Sequence, residues 1–279
     1  MVKQKKHDDF QGIQGLTDTH AHLIMLKKRG FDMHGYLTRL FAAGFGGIID
    51  VGVDAGDLPG RLRAFESFEN IRFSAGIWPS AGAVAGRVKA VSLLEQEIRK
   101  APAGRVIALG ECGLDRYRNK AGEAGIAGER ELFELQLDLA RRLHLPVIIH
   151  SRDAAAETLD ILRRYPDVCG VIHCFSYGPA EARKFLDAGY CLSFAGNLTY
   201  RNAQDLRDAL MCTPLDRMVF ETDSPNLAPQ RFRGETAHPA MVAETFQAAC
   251  ELLHIKPAVL AASCAAAGCP RRGFTCFLR

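Results

Sequence analysis

Short apolar, β-branched runs recur along the chain, and each is followed by a longer stretch whose apolar residues return every three or four positions. The first kind of run reads as a buried strand and the second as an amphipathic helix. Eight strand-like runs can be counted: LTDTHAHL from Leu16, GGIIDVGV from Gly46, IRFSAGIW from Ile71, RVIALGECGLD from Arg105, PVIIHSRD from Pro146, CGVIHCFS from Cys169, YCLSFAGNL from Tyr190 and MVFETDSP from Met218. The clearest helix lies at 128–144, where Leu132, Leu135, Gln136, Leu139 and Leu143 form one stripe. AAETLDILRRY, PAEARKFLDAG and HPAMVAETFQAACELLH repeat the spacing, and Gly189 stands where a left-handed helix cap is expected. No composition shift or Ser/Pro-rich linker interrupts the alternation, so residues 1–279 read as one domain, with 1–14 and about 268–279 peripheral or poorly ordered. An α/β chain of eight strand–helix units, close to the ~250 residues usual for the fold, predicts a (β/α)8 TIM barrel.

In such barrels the active site lies at the C-terminal ends of the strands. There the apolar runs break into polar residues: Val147-Ile148-Ile149 into His150, Val171-Ile172 into His173, Val106 to Gly110 into Glu111, and Met218-Val219-Phe220 into Glu221-Thr222-Asp223. In the first strand His20 and His22 are two apart and share a face. Each histidine alone is ordinarily a core residue. Six ionisable groups on one rim are different, because burying them without counterions is expensive and divalent metals compensate them. His20, His22, Glu111, His150, His173 and Asp223 are therefore the candidate metal ligands. Four imidazoles and two carboxylates suit two ions about 3.5–4 Å apart, bridged by Glu111, which together polarise a phosphoryl or carbonyl oxygen and activate water. Arg152 and Arg116 are candidate phosphate contacts, and Asp115 and Asp153 candidate partners that orient histidines. Asp18 is expected to face the opposite side. His7, His34, His144 and His254 read as solvated or packing residues.

Composition adds exclusions. Hydrophobic residues make up 48% and charged residues 24%, which favours neither disorder nor a membrane protein. There is no bilayer-length apolar run, the start MVKQKKHDDF lacks a signal-peptide core, and a cytoplasmic location is expected. A net charge of +3 suits an anionic substrate without the strong basicity of a dedicated nucleic-acid binder. The nine cysteines include no CxxC pair and read as reduced and structural. No G-x-x-x-x-G-K-[ST] loop is present, so nucleoside triphosphate use is not expected.

TDTHAHL, GECGLDRY, LPVIIHSRDA, HCFS, FAGNLTY and TPLDRMVFETDSPNLAP, in that order from Leu16 to Pro229, resemble the signature blocks of the TatD family of metal-dependent deoxyribonucleases. The resemblance implies a barrel with a two-metal hydrolytic site. His20, His22, Asp223 and Glu111 would hold one divalent ion, and Glu111, His150 and His173 the other. It leaves open Zn²⁺, Mg²⁺ or Mn²⁺. The reaction expected is exonucleolytic phosphodiester hydrolysis in DNA, and by the same chemistry RNA, with Asp223 as ligand and general base and Glu111 as the bridge. Hydrolysis of an amide, ester or lactone, or nucleic-acid binding by a catalytically weak barrel, are the alternatives. Three segments depart from the family pattern. Trp78-Pro79-Ser80 replaces a His-Pro-His segment, His238-Pro239 in RGETAHPAMV replaces Arg-Asn-Glu-Pro, and the tail SCAAAGCPRRGFTCFLR replaces a barrel-closing helix end.

Overall fold

The computed structural model describes residues 10, 12–119, 122–269 and 274–275. Strands β1 (Thr17–Ala21), β2 (Gly47–Asp50), β3 (Ile71–Ala75), β4 (Val106–Asp115), β5 (Val147–Arg152), β6 (Gly170–Ile172), β7 (Cys191–Phe194) and β8 (Met218–Phe220) pair in sequence order, all parallel. Between them run α1 (Leu23–Lys28), α2 (Met33–Ala42), α3 (Leu58–Ala64), α4 (Ala81–Ala85), α5 (Arg87–Lys100), α6 (Glu123–Leu143), α7 (Ala155–Leu162), α8 (Pro179–Asp187) and α9 (Gln204–Met211). After β8 come α10 (Val242–Leu253) and α11 (Pro257–Ala266). All eight expected strands are present, and the fold is the expected (β/α)8 barrel.

Local chemistry accounts for many of the boundaries. Asp32 and Ser80 accept the backbone N–H groups of Gly35 and Ala83 and so cap α2 and α4. Proline opens α3, α8 and α11, where its missing N–H costs nothing. Gly189, φ +98°, stands just beyond α8 in the left-handed region, as expected. In α6, Leu132 and Leu139 are buried with Gln136, whose carboxamide accepts the Ile77 N–H at 2.8 Å and donates to the Ile77 carbonyl at 3.0 Å. That buried amide sits in an apolar stripe because it satisfies the backbone just beyond β3.

Two apolar layers build the core. The larger lies between strands and helices; the smaller fills the barrel with Ile49, Val51, Ala108, Ile148, Val171, Cys191 and Val219. β4 changes face part-way along. Ala108 points into the barrel and Leu109 out, yet beyond the register shift Cys112 and Leu114 point out, leaving Glu111 and Asp115 on the inner side. A bulge re-aims side chains in this way, and Gly110, φ +144°, occupies the turn of the chain. Gly113 is equally constrained, since a Cβ there would stand 1.9 Å from the His150 carbonyl oxygen. Gly113→Ala is therefore expected to push β5 away from β4 and cost about 2 kcal/mol or more, from overpacking plus an unfavourable φ, read as a lower urea midpoint.

The barrel closes between β1 and β8 near the C-terminal ends of its strands. Ala21 bridges Ser224, His22 N–H donates to the Ser224 carbonyl at 2.8 Å, and Asp223 N–H donates to the His20 carbonyl at 2.9 Å. Packing also begins before β1, inside the segment expected to be peripheral: Ile13 is buried and Gln14 pairs with Phe45. At the other end Gly268–Cys269 pairs antiparallel with Phe274–Thr275; His7 and the remainder of 270–279 lie outside the described residues. Among the described residues no single helix is long and apolar enough to cross a membrane. Of the seven cysteines with described side chains, five are buried.

Candidate functional site

Because the strands are parallel, their C-terminal ends share one rim, and the polar residues at the ends of β1, β4, β5, β6 and β8 converge there. Glu111 is at the centre. Its Oε2 lies 3.5 Å from His20 Nε2 and 3.7 Å from His22 Nε2, while its Oε1 lies 2.8 Å from His150 Nδ1 and 3.2 Å from His173 Nε2. Asp223 joins the first pair, its Oδ1 3.4 Å from His22 Nε2 and 3.9 Å from His20 Nε2. Its backbone, φ +54°, lies in the left-handed region, a costly conformation that clusters at functional sites.

The outer nitrogens of three of the imidazoles are held by acceptors. His22 Nδ1 is 3.1 Å from the Val51 carbonyl, His150 Nε2 is 3.0 Å from Asp115 Oδ2, and His173 Nδ1 is 3.2 Å from Glu221 Oε1. Each neutral ring therefore places its N–H outward and aims a lone pair into the site. Inside, His20 Nε2 and His22 Nε2 are 3.3 Å apart, and His150 Nδ1 and His173 Nε2 are 3.2 Å apart. Two ligands bound at 2.0–2.1 Å to a tetrahedral ion stand about 3.4 Å apart, so both pairs fit a common metal ion. In three groups the donor atoms all lie within 4.8 Å of one another: His20, His22 and Glu111; Glu111, His150 and His173; and His20, His173 and Asp223.

Protein charges alone already polarise the cluster. Burial opposes the ionised Glu111, but His173, His150 and His20 outweigh it and hold the carboxyl well below its usual range. Burial likewise opposes a charged His22, yet Asp223 and Glu111 raise it to about 9. Asp223 is lowered against its burial, chiefly by His22. The carboxylates stay ionised with His22, His150 and His173, all raised, as counterions, whereas burial holds His20 below its usual range.

The cluster forms the floor of a cleft of about 760 Å³. Arg152 lines it, with its guanidinium 3.9 Å from the centre of the Tyr117 ring. Arg116 is not among the lining residues. Its guanidinium meets Glu129 at 2.7 Å and Glu157 at 2.7 Å, pinning the loop after β4 to α6 and α7. Arg118, which the sequence did not single out, lines the cleft instead, 5.7 Å from the Trp78 ring. Asp153 is an exposed residue of the cleft edge. His34, His144 and His254 are exposed, outside the cleft.

Asp18 corrects one expectation. With a strand period of two it shares the parity of His20 and His22, and it is buried, accepting the Thr222 N–H at 2.9 Å and the Thr222 hydroxyl at 2.6 Å across the barrel seam. Burial drives its carboxyl up to about 8 against those hydrogen bonds. Glu221 went unassigned in the sequence, although it ends a strand two residues before Asp223. It accepts the Cys174 N–H at 2.8 Å as well as facing His173. His238, in the second departing segment, is buried with Nδ1 3.0 Å from the Tyr36 hydroxyl.

Residues 17–269 match the family model described as TatD related DNase. The uncharacterized metal-dependent hydrolase YcfH of Escherichia coli K12 is 38% identical over 235 residues, 81% of this chain and 84% of its own length. The uncharacterized metal-dependent hydrolase TatD of Mycobacterium tuberculosis is 33% identical over 249 residues, 87% and 92% of the two chains. The crystal structure of the TatD homolog YjjV from E. coli K12 superposes with a TM-score of 0.80 at 30% identity, covering 90% of this chain and 95% of that one. Similar through its whole barrel as well as its motifs, the chain belongs to the TatD family of metal-dependent hydrolases.

Proposed function

We propose that the protein is a deoxyribonuclease that hydrolyses phosphodiester bonds at a centre of two divalent ions, releasing nucleotides from a polynucleotide end. The observation that carries this reading is the division of Glu111, one oxygen toward His20 and His22 and the other toward His150 and His173. A carboxylate so divided suits one ion on each side, with His20, His22 and Asp223 completing one ligand set and His150 and His173 the other. When bound, such ions supply Lewis-acid polarisation of the phosphoryl oxygen and a lowered pKa for water.

The chain's own residues do the rest. Asp223, ionised and partly open to the cleft, accepts the proton of the attacking water. Asp115 and Glu221 hold the His150 and His173 rings so that their lone pairs stay directed inward. Arg118 and Arg152 present guanidinium groups to an anionic backbone, which favours a phosphodiester over a neutral amide, ester or lactone. The test is release of nucleotides from end-labelled single-stranded DNA by metal-stripped protein resupplied with Mg²⁺, Mn²⁺ or Zn²⁺. Metal-dependent release is expected, and no release with any of the three overturns the reading.

Metal loading should depend on pH in a definite direction. An imidazole binds an ion only when unprotonated, and in the metal-stripped protein Asp223 and Glu111 keep His22 protonated up to about 9. Below that pH an ion held by His20, His22 and Asp223 would displace a proton from His22, so its apparent affinity is expected to weaken by about tenfold per pH unit per proton displaced. Calorimetric titration with Zn²⁺ between pH 6 and 9, in buffers of different ionisation enthalpy, checks both the slope and the proton release; a flat profile contradicts it.

A further inference from the structure

Resting on the polynucleotide reading above, we propose that Trp78 is a stacking platform for the base next to the scissile phosphodiester, and that this chain thereby selects an unpaired strand end. Trp78 is half-buried at the cleft wall, beyond the end of β3, with its ring centre 6.1 Å from that of His150 and the two rings inclined at 75°. One side of the metal-ligand cluster therefore ends directly in an indole. The platform is backed rather than loose. Asn119 Nδ2 donates to the Pro79 carbonyl at 2.6 Å and to Glu129 Oε2 at 3.3 Å, tying the segment of Trp78 to the loop after β4. That same loop is fixed by Arg116 on Glu129 and Glu157, and by the Arg118 N–H donating to Asp115 Oδ1 at 2.7 Å.

Arg118 lies with Cζ 5.7 Å from the centre of the Trp78 ring, and Arg152 is held by Tyr117 from outside the cleft. The arrangement combines an aromatic face with two guanidinium groups beside the same pocket, the pairing by which single strands are held: bases stack on the ring while cations track the phosphates. A base paired in a duplex has no free face to offer, so the platform favours an unpaired nucleotide. Stacking tolerates every base, which predicts strand selectivity without sequence selectivity.

Trp78 is the chain's single tryptophan, so its fluorescence reports this position alone. Metal-stripped full-length protein is titrated with an eight-residue oligothymidylate, with an abasic strand of the same length, and with a blunt duplex. Saturable quenching by the oligothymidylate and little by the other two is expected; equal quenching by the oligothymidylate and the abasic strand overturns the platform. In the metal-loaded protein the wild type is expected to show a KM about tenfold or more lower for the oligothymidylate than for the abasic strand. Trp78→Ala should erase that advantage and Trp78→Phe should restore most of it. If Trp78→Ala keeps the advantage, the platform fails while the nuclease reading stands. If the loaded wild type cleaves no strand at all, the nuclease reading fails, and the quenching comparison still decides the platform.

Discussion

Glu111→Ala is expected to lower metal-dependent phosphodiester cleavage by about 10³-fold or more, because it removes the group that serves both halves of the site. Its two oxygens lie between 2.8 and 3.7 Å from four imidazoles, and among the six cluster residues Asp223 is the other carboxylate. Electrostatic stabilisation by a bound ion is worth several kcal/mol, and each 1.4 kcal/mol is about tenfold in rate. Metal per chain, measured by elemental analysis after dialysis, should fall in parallel. Glu111→Gln distinguishes charge from shape: it retains one carbonyl oxygen and places an amide nitrogen, which cannot ligate, toward one histidine pair. The glutamine variant should therefore lose metal more strongly than it loses fold, with an unchanged far-ultraviolet dichroism spectrum. Activity of the alanine variant within tenfold of wild type would remove Glu111 from the mechanism.

Arg61→Met is expected to destabilise the protein by about 3–5 kcal/mol, the usual consequence of taking one partner from a buried ion pair. Arg61 on α3 is almost fully buried, and its guanidinium meets Asp50 Oδ2 at 3.2 Å, the Asp50 carbonyl at 2.9 Å, the Ser74 carbonyl at 2.7 Å and Asp57 Oδ1 at 2.9 Å. It thereby ties β2 and β3 to the helix between them. Asp50 is fully buried and also accepts the Leu23 N–H at 2.9 Å, so methionine leaves a charge inside with one backbone partner. Burial already pushes the Asp50 carboxyl up despite Arg61. Adding Asp50→Asn to Arg61→Met should recover a substantial part of the loss, since asparagine keeps an acceptor for Leu23 without the charge. The urea midpoints of the single and double variants provide the check, and a double variant no better than the single one would mean the arginine acts through packing.

The barrel and the gathering of six polar residues on one rim are legible for one reason. Parallel strands buried on both faces read as unbroken apolar runs, and a run that stops at His, Glu or Asp announces the rim. His150 and His173 needed nothing more than that. Glu111 was found by the same rule, although its inward aim depends on the change of face at Gly110, which the pattern of apolar residues does not reveal. Asp18 was misplaced where the strand period should have sufficed. Arg116 and Arg118 mark the limit more sharply. Both follow β4 in one polar loop, and whether a guanidinium turns to Glu129 and Glu157 or to Trp78 depends on residues from α6, α7 and the segment after β3. Such partners are distant in the chain, so no local spacing encodes the choice. Glu221 was readable in principle as the second inward residue at the end of β8, but its role required knowing that β6 ends beside it.

The seam between β1 and β8 also places the cluster in time. His20 and His22 are made well before Asp223, and the Asp18–Thr222 hydrogen bonds that join the two edges span 204 residues. A ribosome-bound chain that has not yet extruded its last strand carries two histidines with neither the carboxylate that completes their set nor the neighbour that closes the barrel. On the proposed mechanism, hydrolytic competence therefore waits for β8 to take its place in the barrel.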